Sequence, residues 1–260
     1  MTNKIKYSKA NGAGNSFIII FNQNDLYNFG KSFIRKICNY NTKNRYDGFI
    51  VVSKKELIYH LDYFNCDGSW ETLCINGSRC VASLLFKKNL VERNFVLSTG
   101  DGLHQVVVYD INKIKVSMNT PLLVKNNMQV EQFRGSFINS GAKHFTVETK
   151  NVLPKNVLID GKKIRYSANH FPDGINVNFY KILSEHEIEI TTYEKGIEDV
   201  VKSCASGAVA CCFDAHNKGL IDSPCSITTV GGRLVCEFDN SWQSVWIEGP
   251  VEIESMDLDY

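Results

Sequence analysis

The sequence predicts an α/β (α+β) protein of two similar lobes related by a pseudo-two-fold axis, each a strand-rich sheet wrapped around a central helix. Three observations lead there. Ten runs rich in β-branched and aromatic residues stand against three helical ones. Two of those helical runs open with the same motif of cysteine, any residue, a small polar residue and glycine, at Cys74 and Cys204, 130 residues apart in a chain of 260. Two further matches fall near that offset: NGAGNSFIII (11–20) with SGAKHFTVE (140–148), and STGDG (98–102) with TTVGG (228–232). Repetition at one spacing marks an internal duplication. The lobes divide at 1–125 and 126–260.

In chain order, SFIIIF (16–21) and GFIVVS (48–53) are strand-like runs rich in β-branched and aromatic residues, and the helical run FGKSFIRKICNYN (29–41) lies between them. LIYHLDYFN (57–65) alternates apolar with polar. The first motif helix, NGSRCVASLLFKKNL (76–90), is followed by HQVVVYDI (104–111) and KIKVSM (113–118). The second lobe repeats the scheme with HFTVET (144–149), INVNFYKI (175–182), HEIEITTYE (186–194), the helical SGAVACCFDAHNKGL (206–220), LVCEF (234–238) and SVWIEG (244–249).

Net charge is +1 with both signs interspersed, so the chain carries no electrostatic footprint for nucleic acid or an anionic membrane. No window reaches the roughly 18 uninterrupted apolar residues of a membrane span, and the opening MTNKIKYSKANGAG lacks the apolar core of a signal peptide. A cytoplasmic protein with a small-molecule ligand is expected. Nine cysteines, an odd number, argue against a secreted disulfide framework. Neither C-x-x-C nor a matched histidine pair is present, and no metal site is expected. Cys38, Cys80, Cys211, Cys212 and Cys236 lie in helical or strand patterns and read as core; Cys66 and Cys225 have no assigned role.

Cys74 and Cys204 differ by position. A helix start presents unpaired N–H groups and a partial positive charge, which draw a thiol toward thiolate and can hold a carboxylate. Two such starts facing one cleft would let one thiolate remove a proton from a carbon acid while the opposing thiol returns one to the other face. Gly77 and Gly207 permit close backbone approach, and Asn76 and Ser206 add small polar groups. No cofactor is required.

The residues resemble the diaminopimelate epimerase family of cofactor-independent amino-acid racemases. KANGAGNSF, YDGFIVV, FNCDGSWETLCINGSRC, STGDG, GAKHF, FPDGINVNF, YEKG and CASGA follow in the family's order over nearly the whole chain. The resemblance implies a catalytic pair at Cys74 and Cys204, no pyridoxal phosphate, and substrate contacts from Asn15, Asn65 and Asn176. It also implies His144 and Glu194 beside the reacting carbon, and a carboxylate grip by the amides of Asn76, Gly77, Ser206 and Gly207, with Ala205 completing the second loop. A homodimer is expected because relatives pair. Read alone, the three asparagines would be turn or strand-edge residues bonded to backbone, and His144 a core histidine.

Three positions depart from the family: Ile75 replaces a glycine, Ala142 an asparagine and Lys195 an arginine, a bidentate fork becoming a mobile point charge. The run KGIEDVVKSC is also longer by one residue. With two contacts to the distal amino-acid head changed, an amino acid other than diaminopimelate is expected, histidine foremost, with lysine or ornithine next and diaminopimelate itself as the alternative. The rival readings are an isomerase of the phenazine-biosynthesis type, an inactive ligand-binding relative, and a thiol-redox protein.

Overall fold

The structure is a computed structural model that describes residues 5–22, 28–39, 42–43 and 45–260. Among the described residues it contains seventeen strands and four helices, and the chain divides into two compact units, 1–116 with 249–260 and 117–248.

In the first unit β1 (Lys6–Gly12) and β2 (Asn15–Phe21) form an antiparallel hairpin, and α1 (Lys31–Ile37) carries the chain to β3 (Gly48–Lys55), parallel to β2. Next come β4 (Ile58–Asn65), antiparallel to β3, and the short β5 (Trp70–Glu71). Helix α2 (Ile75–Lys87) leads to β6 (Asn94–Thr99), parallel to β4, and β7 (Gly102–Asp110) and β8 (Lys113–Met118) complete the antiparallel run. Ile18 and Ile20 of β2 pack with Ile34 and Ile37 of α1, while Phe17 and Ile19, on the opposite face, are buried as well. SFIIIF is therefore apolar throughout because both its faces are covered.

The second unit opens with β9 (Leu122–Val130) and then repeats the first element for element. β10 (Phe133–Asn139) and β11 (Lys143–Glu148) form the hairpin, α3 (Pro154–Arg165) is the connecting helix, and β12 (Asn176–Ser184) lies parallel to β11. β13 (Glu187–Glu194), β14 (Asp199–Val201), α4 (Ala205–Asn217), β15 (Cys225–Thr229), β16 (Gly232–Phe238) and β17 (Val245–Asp259) follow, with β15 parallel to β13 as β6 is to β4. Helices α2 and α4 are each thirteen residues long and begin 130 residues apart. Both are buried nearly all round: every residue from Ile75 to Leu85 is inaccessible in α2, and the ASGAVACC face of α4 is small enough for strands to wrap it closely.

The division differs from a cut between residues 125 and 126 at both ends of the second unit. β9 belongs wholly to the second unit because it pairs with β10, Val130 opposite Phe133 through Leu122 opposite Asn139. The last residues of β17 return to the first unit because they pair with β1, Val251 opposite Gly12 through Asp259 opposite Lys6.

Candidate functional site

Of the nine cysteines, none in a disulfide, seven are buried, and Cys74 and Cys204 are the two that are part-exposed. Each is the N-cap of its buried helix in extended conformation, φ −140° and ψ 96° for Cys74, φ −135° and ψ 106° for Cys204. The undecided Cys66 and Cys225 lie in the core. Burial pushes the Cys38 thiol up to about 12 and those of Cys80, Cys211 and Cys212 further still, so these remain protonated.

At the first cap the Cys74 sulfur accepts the Gly77 N–H at 3.4 Å. Gly77 leaves room for the Ile50 side chain, whose Cδ1 would lie 2.6 Å from a Cβ there and would have to shift. Gly12 serves the same end from the other side: its missing Cβ would stand 2.6 Å from the Asn76 carbonyl, so β1 can lie against the start of α2. The turn after β1 places Ala13 and Gly14 at φ 51° and 89° and delivers Asn15 to this cap, where the Asn76 amide donates to Asn15 Oδ1 at 2.5 Å. Asn15, Cys74, Asn76 and Gly77 thus form one cluster within the first unit.

The second cap is built on a polar strand face. Phe145, Val147, Val177 and Phe179 face α3, whereas His144, Thr146, Asn178 and Tyr180 alternate with them and are buried; Thr146 donates to the Ser136 carbonyl of β10, and the other three bond toward α4 or toward each other. Thr192 Oγ1 donates to Asn178 Oδ1 at 2.8 Å, and Asn178 Nδ2 lies 3.0 Å from His144 Nδ1. An amide nitrogen only donates, so Nδ1 accepts and the proton of a neutral His144 sits on Nε2, which is 3.0 Å from Ser206 Oγ. The Ser206 hydroxyl lies 3.5 Å from the Cys204 sulfur. Burial alone pushes the His144 imidazole down to about 3 from an ordinary 6.5, so it works as a neutral donor. Ser140 closes the turn by donating to the Ser206 carbonyl at 2.8 Å. Gly207 leaves room for this chain, because a Cβ there would fall 2.2 Å from Asn178 Oδ1.

The neutral histidine has a consequence for stability. Between pH 6.5 and about 3 the unfolded chain binds the proton that folded His144 refuses, so this group's contribution is complete above 6.5 and is lost as pH falls through that window. Urea unfolding near neutrality and near pH 5 should show a smaller acid loss in His144→Gln than in the parent. Equal losses would contradict a buried neutral imidazole.

The remaining expected residues occupy other places. Asn65 is buried in the β4–β5 hairpin, accepting from Tyr63 at 2.9 Å and donating to Ser69 at 3.0 Å. Asn176 ties three strands, donating to the Lys143 carbonyl at 3.2 Å and accepting the Lys195 N–H at 2.9 Å. Glu194 and Ala142 are part-exposed and Lys195 is exposed. Ile75 is buried, as is Ala205. The long KGIEDVV turn is pinned by Glu198, which accepts from Arg165 at 2.7 Å, from the Tyr166 hydroxyl at 2.9 Å and from the Gly196 N–H at 3.1 Å.

Sequence reasoning passed over Asn178, Ser140 and Arg79. For Asn178 the signal was its spacing of two from Asn176 in INVNF, one strand face carrying consecutive polar residues. For Arg79 it was a charge inside an otherwise apolar and small-residue helix. Among the described residues no group of three or more His, Cys, Asp or Glu side chains converges as a metal site would need, and no helix is long and apolar enough to cross a membrane.

The family model described as diaminopimelate epimerase matches residues 7–124 and 136–253, one segment in each half. The diaminopimelate epimerase of Aquifex aeolicus is 31% identical over 264 residues, covering 95% of each chain, and that of Hydrogenobaculum sp. is 31% identical over 262 residues, covering 94% of each. Among solved structures, a probable proline racemase from Agrobacterium radiobacter superposes with a TM-score of 0.74 at 12% identity, covering 98% of this chain and 92% of its own. A hydroxyproline epimerase from Agrobacterium vitis gives 0.73 at 14% identity, covering 100% and 94%. A PhzF-family protein from Enterococcus faecalis gives 0.70 at 15%, covering 99% of both. At such identities the solved structures establish the fold, and the sequence relatives establish the lineage: the chain belongs to the diaminopimelate epimerase family and is an isomerase of the racemase and epimerase kind.

Proposed function

We propose that the chain epimerises diaminopimelate at one α-carbon, with Cys74 and Cys204 as the acid–base pair and without pyridoxal phosphate. The observation that carries the reading is that these two thiols, out of nine, are part-exposed and cap the two matched helices. On this reading the cysteines address opposite faces of the carbon, the N–H groups of Asn76, Gly77, Ser206 and Gly207 hold its carboxylate, and Asn15, Asn65, His144, Asn176 and Glu194 complete the surroundings. A proton α to a carboxylate is weakly acidic, and preorganised donors of this sort lower the cost of the developing carbanion.

Diaminopimelate replaces histidine as the leading substrate. The curated relatives with the names given above are diaminopimelate epimerases, and the substitutions that favoured another amino acid are mild in place: Ile75 is buried, and exposed Lys195 keeps a positive charge for a distal carboxylate.

Purified protein incubated in deuterium oxide with LL-diaminopimelate, L-histidine, L-lysine and L-ornithine should lose the α-proton NMR signal of diaminopimelate first, with formation of the inverted centre. Faster exchange of histidine would restore the earlier expectation. Exchange with none of the four would favour a binding protein that has lost catalysis.

A further inference from the structure

Among the described residues Arg79 is the largest side chain that is fully buried, and it has no carboxylate beside it. Nη2 donates to Asn76 Oδ1 at 2.6 Å, while Nε and Nη1 have no hydrogen-bond partner among those residues. Burying an unpaired guanidinium is costly, and a methionine or leucine in its place would fill a helix core without that cost.

Two physical consequences follow from its position. A guanidinium has donors only, so Asn76 Oδ1 must accept, its Nδ2 must donate, and Asn15 receives that bond on Oδ1 at 2.5 Å. The Asn15 amide is thereby fixed with its NH₂ as the outward end, and no described residue accepts from it. A chain of three side chains thus converts a buried cation into a part-exposed N–H donor suited to a carboxylate or an oxyanion.

The second consequence is electrostatic. The ionisable groups acting on the Arg79 guanidinium are the sulfurs of Cys74 and Cys80 on its own helix; none from β1, β2 or β7 does so among the described residues, and Glu254 of β17 acts on Cys80 instead. Cys80 is fully buried and stays a thiol. Cys74, at the part-exposed helix start, is then the group able to carry the balancing negative charge. The duplicated position 130 residues later is Val209, and the second cap is served by neutral His144 and Ser206. The two halves, alike in backbone order, differ at this position, a cation in α2 and an apolar side chain in α4.

We infer that Arg79 is a positioning residue that orients the Asn15 amide through Asn76 and serves as the buried counter-ion of Cys74, making Cys74 the thiolate and Cys204 the thiol of the resting protein. This rests on the two-cysteine reading above, but its test needs no substrate. Iodoacetamide labelling of the ligand-free protein as a function of pH, resolved by peptide mass spectrometry, should place the midpoint for Cys74 about one unit or more below that for Cys204. Arg79→Met should raise the Cys74 midpoint by a similar amount and leave that of Cys204 in place, with a circular dichroism spectrum like the parent's. Arg79→Lys, which keeps charge but not the fork, should hold the Cys74 midpoint low. With an active substrate, Arg79→Lys should raise KM more than it lowers kcat, because the Asn15 amide is no longer fixed.

A Cys204 midpoint at or below that of Cys74 in the parent would overturn the assignment even if neither variant folds, and so would a folded Arg79→Met with an unshifted Cys74 profile. A parent protein that shows the labelling asymmetry but inverts no amino acid would leave the Arg79 inference standing and sink the proposed reaction.

Discussion

Cys204→Ser or Cys74→Ser lowers the rate of inversion at the α-carbon by about 10²–10⁴-fold, the range associated with loss of one positioned acid or base. The substitution is well suited to the question because serine is among the best N-cap residues, so helices α2 and α4 should start as before. What is lost is the ionisable sulfur: a serine hydroxyl at a helix start does not become an alkoxide near neutrality, whereas a thiol there can be a thiolate. Substrate binding should persist, since the proposed carboxylate grip uses backbone N–H groups that neither variant removes. Initial rates measured by circular dichroism with LL-diaminopimelate check this. In the parent, kcat/KM should be bell-shaped in pH, one sulfur having to be ionised while the other keeps its proton. Near-parental inversion in either folded variant would remove that cysteine from the chemistry.

The largest effect on stability is expected at the far end of α4. Asp214 is buried and accepts from Ser136 at 2.7 Å, from the Tyr180 hydroxyl at 2.8 Å and from Lys218 Nζ at 3.0 Å. Burial and the neighbouring Asp214 hold the Tyr180 phenol far above its ordinary value, so it remains a donor. These bonds tie the helix to β10 and β12, as Ser206 ties its start to β11 and to the turn before it. Asp214→Ala leaves Tyr180 without its acceptor, Ser136 with Asn126 Oδ1 at 3.1 Å, and the Lys218 ammonium with the Tyr180 hydroxyl at 2.8 Å and Glu148 at 3.4 Å. Lys218 is exposed, so the loss comes chiefly from the buried hydroxyl donors left without Asp214, about 1–3 kcal/mol, which for a chain of this size lowers Tm by several degrees. Asp214→Asn, which keeps one acceptor oxygen, should lose less. Urea titrations of both variants decide the matter; a loss under about 1 kcal/mol in Asp214→Ala would mean the network is not a tie.

How much of this was legible in the sequence follows from how local each feature is. All ten expected strands are present, and the two motif helices begin where the cysteine motifs place them, because hydrophobic period and a helix-start residue are properties of a short window. The helix expected over 29–41 is shorter, Lys31–Ile37, and residues 40 and 41 lie outside the described residues. Helix α3 was missed because Pro154 reads as a stop, although it sits in the first turn, and Gly161 as a breaker, although it makes room for Tyr193 Cβ, which a side chain there would meet at 2.6 Å. Strand β9 carries exposed Leu122, Leu123 and Val124 and buries only Met128 and Val130, so it shows no covered face to detect. The return of β17 to the first unit depends on pairing with β1 across almost the whole chain, and no local pattern encodes that. At the candidate site the cysteines were legible from duplication, and His144 from resemblance. The direction of its hydrogen bonds, the role of Asn178 and the burial of Arg79 required coordinates, since each is set by a partner distant in sequence.

The proposal of two thiols acting on opposite faces of one carbon is tested most directly by where solvent deuterium goes during the first turnovers. With LL-diaminopimelate in deuterium oxide, a thiolate that takes the proton and a separate thiol already exchanged with solvent should deliver deuterium to the inverted product, while substrate recovered early still carries its original α-proton. Product that retains protium, or substrate that exchanges as fast as product forms, would show one group serving both faces and would contradict the account.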